Sequence, residues 1–155
     1  MSIFKFMVLA AIAATAMAAP RYKRVGCYRD ADMGGGERVI PSLEHTDARL
    51  NDNYRFRRAP INSCAQVAWD RKLPGFVLQA SARAVAFLYP FPLTRRPFGQ
   101  DGGWCGGSEN MLTRYNMFGE AENMSPPYDC VNGRGGLWSN DVYIFTEREA
   151  EKEEI

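Results

Sequence analysis

The chain has 155 residues, a formal net charge of +1, 46% hydrophobic and 12% aromatic residues. That length holds one domain with a core of its own. Balanced charge excludes a nucleic-acid binder acting through bulk basicity, and the aromatic content predicts a small core filled mainly by rings, with the remainder available for a binding face.

Residues 1–19 have the layout of a secretory signal. Lys5 supplies the positive start, Phe6–Ala14 the short apolar run, and Ala16-Met17-Ala18 the small-residue cleavage pattern. The apolar run is shorter than the roughly 20 residues that span a bilayer. The expectation is a secreted, extracellular chain with no membrane span. Four cysteines, Cys27, Cys64, Cys105 and Cys130, follow the signal. An even number in an oxidising compartment predicts two disulfides, and spacing alone leaves all three pairings open. No two cysteines have knuckle spacing and His45 is the only histidine, so neither a metal site nor a cofactor is expected.

Arg21-Tyr22-Lys23-Arg24 is either a dibasic processing site or a basic lead-in, which places residues 20–24 outside a domain running from 25 to 146. Val25-Gly26-Cys27-Tyr28 reads as a short strand. Asp30–Glu37, with three consecutive glycines, reads as a loop, and Arg38-Val39-Ile40 as a second short strand. The polar stretch from Ser42 to Pro60 is expected to be a surface loop, with Arg55, Arg57 and Arg58 on a solvated face or in a basic patch. Asn62–Lys72 is the strongest helix. Asn62 or Ser63 can cap it, Cys64, Val67 and Ala68 form one apolar stripe, and Arg71 and Lys72 suit the last turn. Leu73-Pro74-Gly75 ends it, and Cys64 faces the core.

Phe76-Val77-Leu78-Gln79 begins as a strand, and Ala80–Tyr89 is apolar and compatible with a helix. Pro90-Phe91-Pro92 stops regular structure. This block reads as a surface lid for a partner or as an insertion with no role of its own. Phe98–Cys105 reads as a strand, a glycine turn and a cysteine, and Asn110–Tyr115 as loop or weak helix. Asn123-Met124-Ser125 is a glycosylation sequon, weakened by Pro126. After Cys130 a glycine cluster turns the chain into the apolar strand Val142-Tyr143-Ile144-Phe145. Residues 147–155 form a glutamate-rich tail, expected to be solvated.

Taken in order, these motifs resemble the WSC-type domain, a cysteine-rich extracellular module. Gly26-Cys27-Tyr28-x-Asp30 is similar to the family's opening, and Cys64 with Ala65 and Ala68 to its helix cysteine. Phe98-Gly99 with Gly102-Gly103-Trp104-Cys105 resembles its central strand, and Cys130 with Gly133, Asn140 and Val142-Tyr143 its closing strand. Two departures stand out. The chain has four cysteines where the family usually has about eight, and residues 77–97 separate Phe76 from Phe98, as an insertion or a gene-model error. The resemblance implies an α+β fold, a small antiparallel sheet with one packed helix. It implies the disulfides Cys64–Cys105 and Cys27–Cys130.

No serine elbow, zinc-protease motif, phosphate loop or paired carboxylates occur, so a non-enzyme is expected. The resemblance implies a carbohydrate-binding module whose partner is an extracellular glycan. The residues expected at such a site are Trp104 with Asp101, and Trp138 with Asn140, Asp141 and Tyr143. Each tryptophan offers a flat apolar face beside polar groups, although core filling beside a disulfide is the favoured reading for either. The alternative partner is a matrix protein, in a structural role without a sugar site.

Overall fold

The computed structural model describes residues 19–30, 37–80, 102–122, 124, 129–130, 135–136 and 138–147. The signal segment up to Ala18, residues 81–101, Asn123 and the tail beyond Glu147 lie outside the described residues. The fold is α+β, a four-stranded antiparallel sheet with one α-helix packed across it. The strands are β1 (Tyr22–Arg29), β2 (Gly75–Ala80), β3 (Gly102–Gly106) and β4 (Ser139–Phe145), and the helix is α1 (Pro60–Asp70). Their spatial order is β1-β4-β2-β3, so the last strand in the sequence lies inside the sheet.

Alternation along the strands sorts side chains to two faces. Phe76, Leu78, Cys105, Tyr143 and Phe145 meet the helix residues Cys64, Ala65, Val67 and Ala68. Val77, Trp104 and Val142 meet Val39, Ile40 and Met111 on the opposite face. The sheet is therefore buried on both sides, which is why β4 carries no exposed position. The disulfides join Cys64 to Cys105 and Cys27 to Cys130, with Cα–Cα distances of 5.5 and 5.7 Å. The first fastens α1 to β3 and the second fastens β1 to the segment leading into β4.

Several boundaries differ from the sequence reading. The helix starts at Pro60, not Asn62, and no side chain caps it. Proline at the first helical position lacks only an N–H that would go unbonded there, so Asn62 and Ser63 fall inside the helix. It ends at Asp70. Arg71 is the C-cap, and Lys72, with φ of 58°, reverses the chain. Arg38-Val39-Ile40 is a bend, not a strand, that inserts Val39 and Ile40 into the core. Val77, Leu78 and Gln79 open the block expected to be an insertion or a gene-model error. They are the buried centre of β2, hydrogen-bonded to both β3 and β4.

Arg57 belongs neither to a basic patch nor to a solvated face. It is 6% exposed, paired with Glu44 and Asp52 at 2.8 Å each, and it donates to the Gly103 carbonyl at 2.6 Å. Glu44 accepts the Cys105 N–H at 2.6 Å, while Leu43 N–H donates to the Cys105 carbonyl. These groups occupy the outer edge of β3, which would otherwise present free backbone groups to another strand. Gly135 lies flat on the sheet, and a Cβ there would sit 2.1 Å from the Ser139 carbonyl and 2.3 Å from that of Leu78.

The segment expected to be a lead-in is instead the first half of β1. Tyr22 packs edge-on against Phe76 and Tyr143 at 5.2 and 5.7 Å. Arg24 binds the buried Asp141 at 2.6 Å and Glu122 at 2.9 Å. Processing after Arg24 would remove both contacts. The folded chain is therefore expected to resist trypsin at Lys23 and Arg24. Mass spectrometry of a timed digest checks this, and prompt release of a chain beginning at Val25 would contradict it.

Candidate functional site

One row of side chains crosses the sheet on the face away from the helix. Tyr28 on β1 pairs with Asn140 on β4, Asn140 with Gln79 on β2, and Gln79 with Trp104 on β3. Polar residues occur in this row because Asp30 is lodged against it. Asp30 follows β1 directly and is fully buried. Its carboxylate accepts from Asn140 Nδ2 at 2.8 Å, Gln79 Nε2 at 3.0 Å and Arg38 Nη1 at 3.1 Å. Three donors, one of them charged, compensate the desolvated carboxylate as burial requires. Backbone bonds lock it further, since the Asp30 N–H donates to the Trp138 carbonyl and the Val39 N–H to the Asp30 carbonyl.

Arg38 leads from this network to the surface, with its side chain 36% exposed. Its Nη1 also donates to Gln79 Oε1. Its guanidinium carbon lies 4.0 Å from the centre of the Trp104 ring and 5.6 Å from that of Trp138. Both distances fall within the range of cation–π attraction. Trp138 takes a left-handed backbone conformation with φ of 57°, which is costly for a bulky residue and holds its half-buried ring beside Arg38. Among the described residues, the buried Asn140 Oδ1 and Ser139 Oγ accept no hydrogen bond.

The expected site residues are thus divided. Trp104 is 7% exposed and belongs to the core, where it supports Arg38. Asn140 lies in the row beneath it. Asp141 and Tyr143 lie on the helix face, where the Tyr143 hydroxyl donates to Asp141 at 3.0 Å and Arg24 covers the carboxylate. They do not join the tryptophans. Asp101 and the sequon asparagine Asn123 lie outside the described residues. Among the described residues, Trp138 is the one expected ligand residue that the structure leaves partly exposed. Arg38 and Gln79 escaped the sequence reading. Arg38 looked like the start of a strand, and Gln79 closed an apolar run. A polar residue ending a buried strand was the available signal. Among the described residues no group of three or more histidine, cysteine, aspartate or glutamate side chains gathers as a metal site, and no helix is long and apolar enough to cross a membrane.

Burial pushes the Asp141 carboxyl above the ordinary carboxylate range, while Arg24 and the Tyr143 hydroxyl pull the other way. The same burial raises the Tyr143 phenol. The folded chain therefore keeps a proton on Asp141 that the unfolded chain releases from about pH 4. The stability linked to this group is complete below that pH and is lost as pH rises through the raised value. Asp141→Asn should consequently gain on the parent protein between pH 3.5 and 7 in urea titrations. A stability difference that stays constant across that range would refute this.

Comparison with protein-family models, with curated proteins and with solved structures finds no match to this chain. The class that fold and site define is a disulfide-stapled α+β domain with an arginine–tryptophan cluster at one end of its sheet.

Proposed function

We propose that the chain is a secreted, non-enzymatic binding module of the WSC type that recognises extracellular carbohydrate. One observation carries this reading: a half-buried indole, Trp138, held in a strained backbone conformation beside a partly exposed arginine that a buried network fixes in place. A sugar ring presents an apolar C–H face and a rim of hydroxyls. Such an indole suits the first and fixed N–H donors suit the second. The two disulfides are compatible with an extracellular setting. The order of motifs around Cys27, Cys64, Cys105 and Cys130 supports the family assignment.

A glycan-array screen of the oxidised chain tests the reading. Trp138→Ala is expected to lower binding by at least about tenfold, the lower end for a buried aromatic contact, with both disulfides intact. Undiminished binding would remove Trp138 from the site. A folded chain that binds no glycan would favour a matrix-protein partner instead.

A further inference from the structure

We infer that the ligand of this site is an acidic saccharide, and that Arg38 reads its carboxylate. This rests on the carbohydrate-binding reading above and narrows it to a chemical class. Arg38 uses one end of its guanidinium internally, where Nη1 serves Asp30 and Gln79. Its Nε and Nη2 donate to no described residue, although the side chain is 36% exposed. These two N–H groups lie along one edge of a planar fork and point in parallel. Two carboxylate oxygens match that edge, so one carboxylate can accept both bonds.

The remaining observations explain why this arginine is prepared for the task. A free surface arginine loses considerable rotamer freedom on binding. Arg38 has already lost it, because the Trp104 ring lies 4.0 Å from its guanidinium carbon and the buried Asp30 holds its inner nitrogen. Binding therefore carries little ordering cost. Trp138 flanks the same guanidinium, its ring centre 5.6 Å from the guanidinium carbon, so a sugar ring stacked on its indole would lie within reach of Arg38. Asp30 does not block this role. It is fully buried, and its carboxylate is also bonded to Gln79 and Asn140, so its charge is spread over three donors rather than resting on Arg38 alone.

The test is titration of the full oxidised chain with an oligogalacturonate and with its methyl ester, which keeps the ring and removes the charge. A sulfated neutral oligosaccharide is the third probe. The expected result is that the acid binds about tenfold or more tighter than the ester, the scale of a hydrogen bond to a charged partner, and that added salt weakens it. Arg38→Lys keeps the charge but not the fork, and should lose most of that preference. Because the variant also disturbs Asp30, the Arg38 Nε–H resonance of the parent protein is followed in parallel and should shift with the acid only. Equal affinity for acid and ester, with Trp138→Ala still abolishing both, would overturn the acidic specificity and leave carbohydrate binding standing. A preference for the sulfated probe over the uronate would overturn the carboxylate assignment. Failure of every saccharide to bind a verified folded chain would overturn both readings.

Discussion

Replacing Cys27 and Cys130 together by alanine is expected to cost the protein about 4 to 5 kcal/mol of stability. The bridge spans 103 residues, and the chain-entropy model gives about this value for a loop of that size. Small domains are stable by only about 5 to 15 kcal/mol, so the double variant should be largely unfolded at moderate temperature. The loss should be visible locally as well. Cys27 is buried on β1, and Cys130 fixes the chain eight residues before Trp138. Any residual folded fraction should therefore show altered Trp138 fluorescence. Urea denaturation of the parent and the double variant measures the difference. A loss under about 1 kcal/mol would mean that the β1–β4 pairing and its packing suffice without the bridge.

Phe76→Ala is the second large effect, expected at about 3 to 5 kcal/mol, the range for removing a buried aromatic ring. Phe76 is fully buried and stacks on Tyr143 with ring centres 4.8 Å apart and planes within 6°. Tyr22 meets its edge at 5.2 Å and Phe145 lies 5.7 Å away. Its removal leaves a void bordered by three aromatic rings on two different strands, which cannot collapse without moving the sheet. Phe76→Leu keeps much of the volume and should cost clearly less. Near-UV circular dichroism would register the loss of the aromatic cluster, and denaturant titration its cost. Equal effects of leucine and alanine would show that ring stacking, not volume, governs the position.

How far the sequence disclosed this depends on the residue. The helix was legible because Cys64, Val67 and Ala68 repeat at helical spacing, and β4 because Val142–Phe145 is an uninterrupted apolar run. The helix start was misread because proline tolerance at the first position competes with side-chain capping at Asn62. Strand β2 was legible over Phe76-Val77-Leu78-Gln79, all but its terminal Gly75 and Ala80, although the apolar block that follows hides its end. Arg57 and Arg38 were the instructive failures. Arg57 lies in a polar stretch and Arg38 opens a short apolar one, and an arginine held by an internal network is recognised only by its partners, which the sequence does not place beside it. Arg57 finds Glu44 and Gly103, while Arg38 finds Asp30, Gln79 and two indoles. The expected ligand set failed at Asp141 and Tyr143 for a simpler reason. Alternate residues of a strand face opposite ways, so neighbours of Asn140 in sequence are not its neighbours across the sheet.

The position of β4 between β1 and β2 also sets when the molecule can exist. A ribosome that has released only the first 129 residues has produced β1, β2 and β3 but neither Cys130 nor the strand that joins them. At that stage Cys64 and Cys105 can meet within the unit formed by α1, β2 and β3, whereas Cys27 has no partner within reach. The apolar faces of β1 and β2 stay open until residue 145 emerges, and sheet closure is a long-range, slow event of the finished chain. Premature termination after β3 and before Cys130 would therefore yield no smaller version of the protein, only two separated pieces of sheet and an unpaired Cys27 thiol.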